Sequence, residues 1–261
     1  MKLQMPVNQF KQALYRGRPQ IGLWLGMGSG ACAEMLAATG FDCLVIDAEH
    51  SPNDAQSVLA QLQAIAPYPV HPIVRPVHGA VELIKQYLDL GAQTLIVPMI
   101  ETPEEAARVV AATRYPTRGV RGVASATTRA SRWGQIERYF ERCDDEMCVM
   151  VQVESVKGLE NLRSIAQVPG VDGVFFGPAD LAASMGMLGR GADPKVQAAI
   201  GEGIAAVREA GKAAGTLTLD VALAREYLAM GALFVAVGVD MTLLVKAATE
   251  LAREFKREPG A

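Results

Sequence analysis

The stretch that decides the fold is residues 44–52, Leu-Val-Ile-Asp-Ala-Glu-His-Ser-Pro. An apolar run ends abruptly in two acids and a histidine, and a Ser-Pro breaker that can open a helix follows. This pattern is typical of a buried parallel strand that delivers polar groups to the rim of a sheet. A histidine there can exchange a proton near neutral pH, and a neighbouring carboxylate can orient its ring. The alternative from this stretch alone is a capped helix start with a surface histidine.

Length and composition indicate a globular α/β protein. The chain has 261 residues, of which 50% are hydrophobic and 20% charged, enough to bury a substantial core. A net charge of −3 gives no global positive field that would point to nucleic acid or an anionic membrane. We expect a cytoplasmic protein without a secretory signal or a membrane span. The four cysteines contain no Cys-x-x-Cys pair, so we expect them to be reduced and mostly buried.

Eight short apolar runs alternate with longer helical patterns. The predicted strands are 21–25, 43–47, 72–75, 94–99, 148–154, 173–176, 215–219 and 233–237. A helical pattern follows each strand, the last at 242–255. This is the size and rhythm of a (β/α)8 TIM barrel, with 1–261 as a single domain. The alternative is an open doubly wound sheet, which is disfavoured because no Gly-x-Gly-x-x-Gly turn follows the first strand.

In a barrel, the C-terminal ends of the strands meet at one mouth, where the chemistry sits. The polar or aromatic residues at these ends are Trp24, Asp47, Glu49, His50, Arg75, Gln152, Glu154 and Asp180. Gln152 and Glu154 are two positions apart and therefore face the same side of their strand. Arg75 ends an apolar run, where a guanidinium needs an anionic partner. That partner is either a substrate carboxylate or a protein carboxylate, Glu49 or Glu154.

The acids at the mouth predict a metal site. Glu154 and Asp180 come from consecutive strands and repel each other unless a cation joins them. Mg²⁺ or Mn²⁺ takes one or two protein carboxylates and completes its shell with waters and substrate oxygens. With a histidine base, this set suits proton abstraction and stabilisation of an enolate by the metal. A Schiff-base route is disfavoured because no lysine falls within a predicted strand.

Residues 115–146 form the one long irregular stretch of the predicted structure. Seven arginines lie between positions 114 and 142. Because a loop this long is usually functional or buried in an interface, we predict a lid or a subunit contact that brings positive charge to the acidic mouth. The alternative is a solvated surface with local ion pairs.

Several ordered motifs carry a family resemblance. They are Asp47-x-Glu49-His50, Val74-Arg75-Pro76, Val97-Pro98-Met99, Arg121-Gly122-Val123, Gln152-x-Glu154 and Gly177-Pro178-Ala179-Asp180-Leu181. Together they resemble the metal-dependent (class II) pyruvate aldolases of the HpcH/HpaI type, among them the 4-hydroxy-2-oxoheptanedioate aldolases of aromatic catabolism. The resemblance extends from about residue 10 to residue 255.

The resemblance implies reversible cleavage of a 4-hydroxy-2-oxo acid, such as 4-hydroxy-2-oxoheptanedioate, to pyruvate and succinic semialdehyde through a metal-stabilised enolate. It implies Mg²⁺, Mn²⁺ or Co²⁺ as the metal and a barrel of the phosphoenolpyruvate/pyruvate-domain type. It also implies a homohexamer, a trimer of dimers that exchange their last helix. Two alternatives stay open: a 2-dehydro-3-deoxy sugar-acid aldolase and an acyl-CoA hydroxy-acid lyase. The polar stretch 216–220 leaves the aldehyde preference open.

The same resemblance implies roles for individual residues. Glu154 and Asp180 hold the metal, and Arg75 contacts pyruvate. His50 is the acid/base, paired with Asp89 of a neighbouring copy of the chain.

The remaining implied roles concern substrate contacts. Asp47 and Gln152 support the metal waters and the substrate, with Glu49 as a further supporting acid. The amide of Ala179 binds the pyruvate carboxylate. Trp24 and Leu217 line the aldehyde pocket. A barrel kept only as a binding scaffold is disfavoured, because buried acids and arginines are costly to retain without use.

Overall fold

Eight parallel strands close into a barrel in the computed structural model, which describes residues 3–256. Each strand pairs with the next along the chain, and the eighth pairs with the first. The predicted (β/α)8 barrel is therefore confirmed and the open sheet is excluded. The single domain predicted for 1–261 includes residues 1, 2 and 257–261, which lie outside the described residues, so it stays a prediction.

The strands end close to their predicted bounds. They are β1 (Gln20–Leu25), β2 (Cys43–Asp47), β3 (His71–Arg75), β4 (Thr94–Val97), β5 (Cys148–Val153), β6 (Gly173–Phe176), β7 (Ala213–Leu217) and β8 (Phe234–Val239). The helices are α1 (Gln9–Tyr15), α2 (Gly30–Ala37), α3 (Ala55–Ile65), α4 (Val81–Asp89), α5 (Pro103–Ala112), α6 (Tyr139–Arg142), α7 (Val156–Glu160), α8 (Leu162–Ala166), α9 (Pro178–Ser184), α10 (Pro194–Glu209), α11 (Val221–Met230) and α12 (Asp240–Lys256), with a 3-10 turn at Ser125–Thr127.

Side chains alternate along each strand between the barrel interior and the layer under the helices. In β2, Cys43 and Val45 belong to the inner cluster, whereas Leu44 and Ile46 pack in the outer one. The same period of two carries Asp47 inward at the end of the strand. The interior is therefore an apolar column with polar groups at its top.

Helix α1 closes the opposite end of the barrel. Phe10 is fully buried in the inner cluster, where its ring stacks on His71 with centroids 5.7 Å apart. The ring of Phe10 also meets Phe234 edge-on at 5.3 Å. Because this end is plugged, the barrel opens only at the C-terminal ends of its strands.

The arginine-rich segment lies at the plugged end. It connects the end of α5 to the start of β5, and the Leu3 N–H donates to the Gln135 carbonyl at 3.0 Å. The prediction that it covers its own mouth as a lid is wrong, because a connection from helix to strand runs over the N-terminal face of a barrel. The alternative of local ion pairs is confirmed for Arg118 and Arg121, which pair at 2.8 and 2.7 Å with Asp144 and Asp89.

The cysteines follow the expectation in part. Cys43, Cys143 and Cys148 are buried, Cys32 is half-buried, and all four are free. None of the helices within 3–256 combines the length and apolarity of a membrane span.

Two glycines of α10 test how this helix packs on the barrel. A Cβ on Gly203 would lie 2.6 Å from the Phe176 ring, whereas one on Gly201 would approach only the flexible Met230 side chain, at 3.3 Å from its sulfur. We expect Gly203→Ala to lower the free energy of unfolding by about 1–3 kcal/mol. We expect Gly201→Ala to raise it by up to about 1 kcal/mol, because alanine favours a helix. Urea unfolding at one fixed protein concentration measures both, and equal effects would contradict this packing.

Candidate active site

An ion pair between β2 and β3 forms the base of the mouth. Asp47 and Arg75 are register partners on these adjacent strands. The guanidinium Nε donates to Oδ1 at 2.9 Å and Nη2 to Oδ2 at 2.8 Å, both buried. Burial opposes ionisation of Asp47, but the hydrogen bonds and charge of Arg75 outweigh it and lower its pKa. A carboxylate oxygen can accept more than one hydrogen bond, so the expected support of metal waters by Asp47 stays a prediction.

Arg75 is held by two further neighbours. Its Nη1 lies 2.9 Å from Oε2 of Glu49, and its Cζ lies 4.8 Å from the centre of the Trp24 ring. Of the two protein partners expected for Arg75, the structure therefore shows Glu49. The hydrogen bonds to Asp47 use two of the five N–H groups of the guanidinium, and Nη1 is in ion-pair contact with Glu49, so at least two N–H groups stay free for an anionic ligand.

Glu49 and His50 stand at the open side of the mouth. The Nε2 atom of His50 lies 3.8 Å from Oε2 of Glu49, and the imidazole is 62% exposed. Burial raises the pKa of Glu49 although Arg75 and His50 lower it, and the charges of Asp47 and Asp180 add to the rise. The histidine is therefore accessible to a substrate, with a carboxylate beside it.

Glu154 is almost fully buried at the top of the β5 column. Its Oε1 accepts the Met99 N–H at 2.8 Å, and its Oε2 faces the Gln152 amide nitrogen. Burial raises the pKa of Glu154 to about 7, against these two hydrogen bonds and with help from the charges of Glu49 and Asp180. The groups that favour the charged form of Glu154 are these two hydrogen-bond donors and not a cationic side chain.

Asp180 reaches the same region from a helix. The sequence placed it at a strand end, and it lies just beyond β6, in the first turn of α9, which begins at Pro178. A proline at this position fits a helix start because the amides of the first turn have no partner within the helix. The Ala179 amide belongs to that turn, and both Ala179 and Asp180 are exposed.

The donor set fits a hard divalent cation. The Gln152 Oε1 atom is buried without a hydrogen-bond partner, which leaves an unused oxygen beside Glu154. A Cβ at position 177 would overlap Oε2 of Glu154, so Gly177 keeps the space beside that oxygen free. Within residues 3–256, no group of three or more His, Cys, Asp or Glu side chains is placed to hold a metal ion. Two carboxylates completed by waters and substrate oxygens are what Mg²⁺ accepts.

The β7 end of the mouth is less polar than its sequence suggested. The Thr216 hydroxyl is buried and donates to the Phe176 carbonyl at 3.0 Å. Thr218 and Asp220 form hydrogen bonds at the start of α11. The Thr218 hydroxyl accepts the Asp220 N–H, and the Asp220 carboxylate accepts two backbone N–H groups of the helix. Leu217 packs on the inner cluster that contains Trp24. The polarity of 216–220 is therefore accounted for by local structure, and Leu217 remains as the apolar wall.

One predicted residue lies away from the mouth. Asp89 ends α4, which places it at the opposite end of the barrel from His50 of the same chain. There its Oδ1 accepts a hydrogen bond from Arg121 Nη2 at 2.7 Å. Within one chain, Asp89 does not meet His50.

Two positions at the mouth carry functions that the sequence did not indicate. Met99 has a φ of 57°, and this left-handed backbone aims its N–H at Glu154. Such a conformation is rare for methionine and costs about 1–3 kcal/mol. Gly177 contributes by having no side chain, because a Cβ there would overlap the Glu154 carboxylate. The Val-Pro-Met and Gly-Pro-Ala-Asp motifs marked both places, but a residue pattern cannot show a backbone angle or an empty volume.

Glu154→Gln is expected to remove a pH-dependent loss of stability from the metal-free protein. Because the pKa rises from 4.5 to about 7 on folding, the folded protein keeps a proton that the unfolded chain has released. This carboxyl therefore lowers stability as pH rises through that window, by at most about 3 kcal/mol in total. Urea unfolding of both proteins with a chelator, from pH 5 to 8, measures the difference. Parallel pH profiles would contradict the raised pKa.

Comparisons with known proteins agree with this geometry. Residues 20–247 match the family model described as HpcH/HpaI aldolase/citrate lyase. A hydroxypyruvate/pyruvate aldolase of Deinococcus radiodurans is 60% identical over 98% of this chain and 92% of its own length. A 4-hydroxy-2-oxo-heptane-1,7-dioate aldolase of Shigella flexneri is 57% identical over 95% of this chain and 93% of its own.

A solved structure supports the same relationship. A family protein of Burkholderia cenocepacia superposes with a TM-score of 0.92 at 42% identity, covering 96% of this chain and all of that one. The shared fold and the sequence similarity extend over nearly the whole chain. The chain belongs to the HpcH/HpaI aldolase/citrate lyase family.

Proposed function

We propose that the chain is a divalent-metal-dependent pyruvate aldolase that reversibly cleaves a 4-hydroxy-2-oxo acid to pyruvate and an aldehyde. The observation that carries this proposal is the buried Glu154, raised in pKa to about 7 beside the unpartnered Gln152 oxygen and the Asp180 charge. The names of the relatives from Deinococcus radiodurans and Shigella flexneri support it. 4-Hydroxy-2-oxoheptanedioate, giving succinic semialdehyde, is the first substrate to test.

The pyruvate half of the substrate would be bound by fixed charges. Glu154 and Asp180 would hold the metal, Mg²⁺, Mn²⁺ or Co²⁺, which when bound would supply positive charge to stabilise the oxo acid as negative charge develops. The two spare N–H groups of Arg75 bind the 2-oxo oxygen, where negative charge develops. The Ala179 amide binds the carboxylate, and the Gln152 oxygen accepts a hydrogen bond from a bound water.

His50 would move the proton. Its exposed imidazole takes the 4-hydroxyl proton, with Glu49 3.8 Å away to stabilise the imidazolium that forms. The C3–C4 bond breaks as the aldehyde carbonyl forms, and its electron pair passes into the pyruvate half as an enolate. A proton then returns to C3 and gives pyruvate. Trp24 and Leu217 bound the aldehyde side.

The other readings have less support. An acyl-CoA hydroxy-acid lyase needs a basic channel for the CoA phosphates, and the arginine-rich segment that could supply one lies at the plugged end of the barrel. A 2-dehydro-3-deoxy sugar acid shares the pyruvate half and is tested by the same substrate screen. A cytoplasmic location and a lack of nucleic-acid partners stay predictions.

Exchange of the pyruvate methyl protons in D₂O tests the proposal without knowledge of the aldehyde. We expect exchange with Mg²⁺, Mn²⁺ or Co²⁺, its loss on exhaustive chelation, and its loss in Glu154→Ala. His50→Ala should slow the cleavage of 4-hydroxy-2-oxo acids by roughly 10²- to 10⁴-fold. Glu34→Gln, an exposed acid on α2, is the matched control and should change neither rate. Activity that survives both chelation and Glu154→Ala contradicts the proposal.

We also propose a homohexamer, a trimer of dimers that exchange α12. Every residue from Met241 to Lys256 is exposed in the single chain, including Leu244, Val245, Leu251 and Phe255 at 59%, 63%, 63% and 84%. Apolar side chains exposed together along one helix are typical of a surface that another protein covers. In such an assembly, Asp89 of one copy would reach His50 of the next.

Mixing two inactive variants tests this shared site. We expect Asp89→Asn and His50→Ala each to be nearly inactive when pure, because each lacks half of the pair. Random reassembly of an equal mixture around a closed ring should restore about a quarter of the sites. Aldol cleavage after co-refolding, compared with each variant refolded alone, measures this. A mixture no more active than its parents contradicts a site shared between subunits.

A further inference from the structure

A sizeable cavity lies at the end of the barrel opposite the mouth. Its volume is about 870 Å³. It runs beneath the starts of β1 and β3, between the N-terminal segment around α1 and residues 129–139 of the arginine-rich segment. This volume lies in the range of small-molecule sites, and none of the proposed catalytic residues lines it.

The charge in this cavity is unbalanced. Three arginines, Arg18, Arg129 and Arg132, line it, and among the described lining residues Asp42 is the single acid. Burial lowers the pKa of His71, which also lines it, to about 3, so its imidazole is neutral. The lining therefore carries a net charge of about +2, the complement of a dianion.

The three guanidiniums have no carboxylate partner within ion-pair distance among residues 3–256. Asp42 already accepts the Ile21 N–H through its Oδ2 atom, at 2.8 Å. Unpaired arginines are ordinary on an open surface, but Arg129 and Arg132 are half-buried. Burial lowers the pKa of Arg129 to about 10, and the charge of Arg132 adds to the effect. An anion bound between Arg129 and Arg132 would offset both the burial of the Arg129 charge and the repulsion between the two guanidiniums.

The backbone holds this arrangement in place. Arg129 donates from Nη1 to the Leu90 carbonyl at 2.8 Å and from Nη2 to the Leu62 carbonyl at 3.3 Å. These bonds fix the guanidinium and use two of its five N–H groups. Arg132 and Trp133 have φ values of 53° and 54°, a conformation that side-chain-bearing residues rarely adopt. Such local strain is concentrated at binding sites, because the surrounding structure must impose it.

A purely structural role explains only part of the cluster. Arg129 binds a carbonyl near the end of α3 and another at the end of α4, and a cation is stabilising there without any ligand. No hydrogen bond or ion pair within residues 3–256 explains Arg18 or Arg132 in this way. Because Arg18 is exposed and Arg132 is half-buried, Arg132 decides between a structural cluster and a binding site.

We propose that this cavity is a second binding site, which takes a small molecule bearing two acidic groups, carboxylate or phosphate. The site is separate from the mouth, since the two lie at opposite ends of the barrel and are divided by the inner apolar cluster and α1. The proposal does not depend on the aldolase chemistry.

Calorimetric titration with two probes tests the proposal. Succinate supplies two carboxylates and inorganic phosphate supplies a phosphate, and chloride at matched ionic strength corrects for general salt effects. We expect saturable binding of at least one probe by the full chain, and the probe that binds identifies the acidic group. Arg132→Gln should weaken this binding at least tenfold. Arg142→Gln, an arginine of the same segment outside the cavity, should leave it unchanged.

Several outcomes overturn the proposal. They are no saturable binding of either probe, equal binding by the wild type and Arg132→Gln, or equal weakening by Arg142→Gln. Binding of succinate at the mouth would give the second of these results, because Arg132 is remote from the mouth. If Arg132→Gln does not fold, Arg18→Gln makes the same test from the other wall of the cavity. Circular dichroism and retained pyruvate proton exchange show that a variant is folded.

Discussion

The bidentate ion pair between Asp47 and Arg75 determines the arrangement of the mouth. Register pairing of β2 and β3 brings the two side chains together, and removal of one partner from such a buried pair costs about 3–5 kcal/mol. Because Glu49 shares the same guanidinium, one positive charge serves two carboxylates. Glu154 and Asp180 therefore face a mouth that is short of positive charge. This shortage, more than any single contact, is the physical basis of the proposed cation site.

Local patterns predicted most of this structure. Period-two alternation was enough to place Gln152 and Glu154 on one side of β5, and the strand ends were within about two residues because turn residues bound each apolar run. The sequence predicted Glu49 but not Asp47 as a partner of Arg75, because Asp47 becomes its neighbour only through the pairing of β2 and β3. The left-handed Met99 and the space at Gly177 depend on contacts between distant segments. The arginine-rich segment lies at the plugged end because it connects a helix to the next strand. Its many arginines give no information about that position.

Under the proposed function, the two halves of the site are built differently. The pyruvate side would consist of charged groups on strand ends and a helix start, and hydrogen bonds fix Asp47, Arg75 and Glu154 among them. The aldehyde side would consist of Trp24 and Leu217, which set shape without directional bonds. Trp24 is buried against Arg75 and Leu217 packs on the inner cluster, so a substitution on that side would also reduce stability.

The raised pKa of Glu154 determines how the mouth can take up a cation. Burial raises the pKa of this carboxyl to about 7, so Glu154 binds and releases a proton near neutral pH. Under the proposed function, a metal ion that binds Glu154 would displace that proton, so its uptake would be an exchange of one ion for another. Protons would then compete with the metal, and the metal-loaded fraction would fall as the pH falls. The burial that shapes the pocket would in this way make the proposed site respond to its surroundings.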